Sequence, residues 1–177
     1  RSGLGRGPGA TGLAGVPEEV GFATKPEIAL DQIRQALADG VPPGAVVTDA
    51  GYGNDTDFRD GVTALGLADV AGIQGTTSLW PPGTGPLPAA PRGGRGRPPK
   101  RLRRDPGHQP LAAGRLAAGL PAGAWRTVAW REGAAGELAS RFAAVRVRPA
   151  HGDTARTEPR PEEWFLVEWP EGEEEPT

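Results

Sequence analysis

Between Thr24 and Gly40 the apolar residues Ala29, Ile33, Ala36 and Leu37 repeat at helical spacing, with Leu30 flanking the stripe. The run Thr24-Lys25-Pro26-Glu27 has the form of a capping box. The threonine hydroxyl can accept from the N–H three residues on, and the glutamate can reach back to the threonine N–H. Pro26 in the first turn forfeits no helical hydrogen bond. Gly40 and the pair Pro42-Pro43 stop the element, so a helix is predicted over 25–39. Ala45-Val46-Val47-Thr48 is a short apolar run bounded by turn residues, the pattern of a buried strand. Asn54 then stands where a helix cap belongs, with Phe58, Val62 and Leu65 on one helical face and Gly66 as a stop. Val70-Ala71-Gly72-Ile73 reads as a second strand. Helix, strand, helix and strand with short connections predict an α/β layer with parallel neighbours.

After Gln74 the pattern changes. Pro81 to Pro99 holds too much proline and glycine for regular structure, and a weak helix is expected over about Leu111 to Leu120. Trp125–Trp130, Phe142–Arg148 and Trp164–Trp169 are rich in tryptophan and valine and partly alternate, which predicts three strands of a small β-rich module. Residues 1–14 are glycine-rich without an apolar period and read as flexible coil. The expected division is a flexible segment over 1–16, an α/β part over 17–78 and a β-rich part over 79–177.

Composition narrows the function classes. With 28 glycines and 20 prolines in 177 residues, the chain can build a modest core and not a large one. It has no cysteine, which excludes disulfides and thiol catalysis. His108 and His151 lack partners at metal-ligand spacing, which argues against a zinc site. No apolar run approaches ~18 residues and no signal-peptide pattern appears, so a cytoplasmic protein is expected. Methionine is absent even at position 1, pointing to a processed chain or a fragment. The net charge of −2 conceals a separation. Arg92, Arg95, Arg97, Lys100, Arg101, Arg103 and Arg104 occupy one acid-free stretch, and glutamates crowd the end from Glu158 to Glu175. Such asymmetry fits a polyanion-facing segment beside a solvated acidic one, and equally two exposed charge runs that touch nothing.

Candidate chemistry begins at Asp49, a carboxylate at the tip of the first strand, followed by the glycine turn Gly51-Tyr52-Gly53. A side chain there is held by a rigid element while facing a loop. Taken alone, such an acid serves as a helix cap, a turn former, a surface charge or a catalytic group. A phosphatase-like nucleophile would have a second acid two residues on, where Gly51 stands, and no dinucleotide fingerprint follows the strand. Arg95-Gly96-Arg97-Pro98 has the form of an AT-hook core, in which glycine admits the backbone to an A·T minor groove and both arginines reach in. A basic surface loop is the plainer reading. Trp125, Trp130 and Trp164 could stack on an unpaired base, although at strand spacing core packing is the better reading for most of them.

The run Val46 to Arg59, with Gly15 to Leu30 before it, resembles the middle of a bacterial insertion-sequence transposase of the DDE superfamily endonuclease family. Asp49-Ala50-Gly51-Tyr52-Gly53 matches the family's D-x-G-Y-G context for the second of three metal-binding acids. The resemblance continues through Leu79-Trp80-Pro81-Pro82-Gly83, Gly94-Arg95-Gly96-Arg97-Pro98-Pro99-Lys100 and Ala124-Trp125-Arg126-Thr127-Val128. It reaches Val145-Arg146-Val147-Arg148-Pro149-Ala150-His151 and ends in Glu168-Trp169-Pro170-Glu171-Gly172, covering roughly residues 15 to 177.

The resemblance implies a partial RNase H-like catalytic core followed by a β-rich insertion, an α/β fold class. It implies Mg²⁺ or Mn²⁺ as cofactor, held in the parent enzyme by three carboxylates of which Asp49 is one. The implied partner is double-stranded DNA at transposon ends, with a homodimer in the full-length parent and a nucleoid-associated place in the cell. Arg92, Arg95, Arg97, Lys100, Arg101, Arg103 and Arg104 become phosphate contacts, and Trp125, Trp130 and Trp164 become candidates for stacking on a flipped base. The family's first acid is expected before Arg1 and its final glutamate after Thr177, so the chain reads as an internal fragment, inactive alone and holding metal weakly. Asp55 and Asp57 stand too close to Asp49 to replace either acid and suit the turn and helix start. The competing readings are a non-catalytic DNA-binding protein built on the hook-like segment, and the product of a decayed gene.

Overall fold

A computed structural model of the chain describes residues 21–91, 93–94, 97–133, 136–174 and 176, without the side chains of 131–133, 136 and 137. The segment 1–16, expected to be flexible, lies outside the described residues. The chain divides between Gly72 and Ile73 into two compact units, the first mixing helix and strand and the second mainly strand.

In the first unit helix α1 spans Lys25–Ala38. Its capping box forms as the sequence predicts: Glu27 N–H donates to the Thr24 hydroxyl at 3.4 Å, and Thr24 N–H donates to Glu27 Oε2 at 2.6 Å. The hydrogen bond from the Thr24 backbone, then that from its hydroxyl, holds the Glu27 carboxyl below its ordinary pKa. Strand β1 (Val46–Thr48) leads through helices α2 (Ala50–Gly53) and α3 (Thr56–Ala64) to β2 (Asp69–Ala71). The strands are parallel, with Val46 opposite Asp69 and Thr48 opposite Ala71. A parallel pair needs a crossover, and α2 and α3 supply it. Leu30, Phe58 and Val62 form the buried centre, with Ala29, Ile33, Val46, Tyr52, Leu65 and Leu67 packed around them.

The structure departs from three expectations. Leu30 does not flank the helical stripe but is its buried centre, because α3 offers Gly61 opposite it and a Cβ there would overlap the leucine methyl. The cap of α3 is Asp55, whose carboxylate accepts from Phe58 N–H at 2.8 Å, while Asn54 closes α2 by donating to the Ala50 carbonyl. Strand β1 is not buried on both faces: Val47 is 73% exposed and its neighbour Val70 57%. Successive side chains of a strand point to opposite faces, and the helices cover the face that carries Val46.

The second unit holds β3 (Ser78–Trp80), β4 (Leu111–Ala112), helix α4 (Ala113–Ala118), β5 (Trp125–Gly133), β6 (Gly136–Pro149) and β7 (Glu163–Trp169). They form an antiparallel sheet in the order β4-β3-β6-β5, with β7 also paired to β6. The three segments Trp125–Trp130, Phe142–Arg148 and Trp164–Trp169 are strands, as their alternation predicts. The weak helix begins two residues later than expected, because Leu111 and Ala112 pair with β3 instead. Leu79, Ala113, Leu116 and Val147 form the core, with Ile73, Leu111, Val145 and Phe165 against it. The proline-rich stretch after β3 makes turns and one bridge, Leu87 to Arg103.

Candidate functional site

Asp49 directly follows β1, exposed, and its seat is tightly built. Its Oδ1 accepts from Gly51 N–H at 2.8 Å, which makes it the N-cap of α2. Gly53 N–H donates to the Asp49 carbonyl and Gly72 N–H to the Thr48 carbonyl, both at 2.8 Å. A Cβ on Gly53 would overlap the Gly72 carbonyl oxygen, so glycine is required where α2 crosses the end of β2. Beside Asp49 lies a groove of about 480 Å³, lined by apolar residues that include Ile33, Ala36, Val46, Tyr52 and Phe58. Asp49 is the one carboxylate in that lining. Asp55 caps α3 and Asp57 sits in its first turn, the roles their spacing suggests.

Two-metal chemistry needs several carboxylates converging on ions about 3.5–4 Å apart. Among the described residues no three His, Cys, Asp or Glu side chains come together, so these residues by themselves do not fit a Mg²⁺ or Mn²⁺ pair. Asp49 offers a single carboxylate, one oxygen of which already serves the cap.

The basic stretch divides on folding. Arg92 and Arg95, with the centre of the hook-like motif, lie outside the described residues. Arg97, Lys100 and Arg101 are exposed, and among the described residues none of the three is ion-paired. Arg103 stands 3.8 Å from Asp105, both half-exposed, a separation worth little in water. Arg104 is committed to the fold. Its Nη2 donates to Asp153 Oδ1 at 2.8 Å and to the Ala150 carbonyl at 2.7 Å, and its Nε lies 3.1 Å from the same carboxylate. Asp153, 1% exposed, also accepts from Trp80 Nε1 at 2.8 Å. Asp153 and the Ala150 carbonyl thus occupy the Arg104 guanidinium, for which a phosphate contact was expected. No local pattern in the sequence marks Asp153 as the partner of Arg104, 49 residues before it, or of Trp80, 73 residues before it.

The tryptophans separate as well. Trp125 is half-buried and meets Trp169 edge-on, with ring centroids 5.2 Å apart. Trp130 and Trp164 are 51% and 68% exposed, contrary to the core packing their spacing favoured. Trp130 leans edge-on to Phe142, and the Arg146 guanidinium lies 5.1 Å from the Trp164 ring centre. Arg126 also stands exposed on β5.

Among the described residues no helix is long and apolar enough to cross a membrane. A family model described as DDE superfamily endonuclease matches residues 11–137. No curated protein and no solved structure matches the chain.

Proposed function

This chain belongs to the DDE superfamily endonucleases, and from that premise we propose that it is part of a DNA transposase that contacts DNA but does not cleave it unaided. The observation that carries the reading is Asp49, seated at the carboxyl end of a parallel strand inside the matched region. We assign Asp49 as one metal-binding acid of an RNase H-like core, with residues 79–177 as a β-rich insertion. Arg97, Lys100 and Arg101 are the phosphate contacts, with Arg92 and Arg95 beside them in sequence. Trp164 and Trp130 are the rings available to stack on a base of a transposon end. Because no group of three His, Cys, Asp or Glu side chains forms among the described residues, and Asp49 is the one carboxylate lining its groove, the reading includes no cleavage step by these residues alone.

Titration with Mn²⁺ followed by amide resonances tests the acid. Paramagnetic broadening is expected to centre on residues 49–53 and to vanish in Asp49→Asn. Broadening that survives the substitution removes Asp49 from the metal site. A nicking assay on supercoiled DNA with Mg²⁺ or Mn²⁺ is expected to show no product. Metal-dependent nicking that disappears in Asp49→Ala would show that the chain carries a complete set of acids.

A further inference from the structure

The cations of the basic stretch fall into two groups with different neighbours. Arg104 is held by Asp153, and the chain beside it is tied on both sides. Leu102 N–H donates to the Arg156 carbonyl at 2.9 Å, and Leu87 and Arg103 exchange two backbone hydrogen bonds at 2.9 Å. Leu102 is itself buried. A buried ion pair is weak support for stability but a firm determinant of register, since either partner left alone would be costly. Here the register it sets is that of the preceding residues. Arg97, Pro98, Pro99, Lys100 and Arg101 run along Ala155 and Thr157 and enclose with them a groove of about 430 Å³.

Three exposed cations without a carboxylate partner among the described residues share this one groove. Their mutual repulsion is offset by nothing in the lining, which contains no acid. Pro98 and Pro99 have no N–H to donate and restrict the backbone, so recognition falls to the long side chains rather than to the main chain. A row of cations on a stiff backbone suits a repeating anion, and reads charge rather than base identity. Loop 153–157 lies beyond the family match, which ends at residue 137.

We infer that the loop carrying Ala155 and Thr157 is the second wall of a phosphodiester-binding groove whose cations are Arg97, Lys100 and Arg101. The Asp153–Arg104 pair fixes that wall in place. The site rests on the DNA-contact reading above and deepens it by naming its wall and its ligand chemistry.

The test is duplex binding by the full chain, followed by fluorescence anisotropy across a salt series. The triple variant Arg97→Ala, Lys100→Ala, Arg101→Ala is expected to weaken binding and to lower the slope of log K against log salt by about 2.7, from about 0.9 per phosphate contact. Ala155→Glu and Thr157→Glu, both at exposed positions, are expected to weaken binding severalfold on A·T-rich and G·C-rich duplexes alike. Thr157→Gln, which adds bulk without charge, should retain binding. Ala122→Glu, with the same charge change outside the groove lining, should bind as the parent chain does. If the triple variant loses affinity while both wall glutamates leave it unchanged, the groove is overturned and the DNA contact stands. If Ala122→Glu weakens binding as much as the wall glutamates, the groove is likewise overturned. If the triple variant binds normally, both readings fall. Binding of labelled poly-glutamate with no binding of duplex would replace the phosphodiester with an acidic peptide and also overturn the inference.

Discussion

Gly53 and Gly72 meet backbone to backbone. A Cβ on Gly53 would overlap the Gly72 carbonyl oxygen, and one on Gly72 would come within 3.1 Å of Ala50 N. This contact presses α2 onto the end of β2 and so sets the direction in which Asp49 leaves β1. Backbone atoms cannot rotate aside as a side chain can. Gly53→Ala is expected to cost about 1–3 kcal/mol, the range of an overpacked core site. Urea unfolding followed by circular dichroism checks it, and a change within experimental error would show that α2 can lift without loss.

The capping box gives α1 a pH dependence with a definite sign. Glu27 is held below its ordinary pKa in the folded chain by its bonds from Thr24. Its contribution is present in full above the unfolded pKa and is lost as pH falls through the folded one. Protection of the first-turn amides of α1 should therefore fade as pH falls below the ordinary glutamate range. Glu27→Gln, which can still accept from the Thr24 N–H, should flatten that dependence. Thr24→Ala should cost about 1 kcal/mol at neutral pH.

Asp153 accepts from both Trp80 and Arg104 while almost wholly shielded from water. Asp153→Ala would leave the guanidinium without its partner and the indole N–H without an acceptor. The expected cost is about 3 kcal/mol, the low end for a broken buried pair because the Arg104 side chain keeps 28% exposure. Unfolding read by tryptophan fluorescence reports it. A variant as stable as the parent chain would mean that water replaces the carboxylate at no cost.

What was legible in the sequence was what local chemistry decides. The capping box at Thr24 and Glu27 needs four consecutive residues, and the strands that carry Trp125 and Trp164 declare themselves by alternation. Gly66 marks the end of α3 by its positive φ of 71°, as a glycine stop should. The misses lie where a distant segment decides. Strand β3 has no local signature, because the strands it pairs with, β4 and β6, lie far along the chain. Leu30 became central only because Gly61 faces it. Val47 looked like core because an apolar run does not say how many of its faces are covered. Asp49 was placed by its strand and turn, but nothing local could bring it a second acid.

That distinction between apolar and covered positions can be measured. Leu30→Ala should cost about 2–5 kcal/mol, as a buried leucine does. Val47→Thr, at a site 73% exposed, should change stability by no more than about 0.5 kcal/mol. Equal losses at the two sites would show that the face of β1 carrying Val47 is buried in solution.

Asp49 has a structural duty as well as a proposed chemical one, and two substitutions separate them. Its Oδ1 caps α2 through Gly51 N–H. Asparagine ranks with aspartate as an N-cap and its amide oxygen can accept the same hydrogen bond, while the negative charge is lost. Alanine removes both the charge and the cap. Asp49→Asn is therefore expected to unfold as the parent chain does, and Asp49→Ala to lose about 1 kcal/mol. If the carboxylate is a metal ligand, Mn²⁺ broadening disappears in both variants, including the one whose stability is unchanged. If broadening is lost only in Asp49→Ala, the cap and not the charge governs the local signal. The residue is then a helix cap at the end of a strand, and the metal role must be given up.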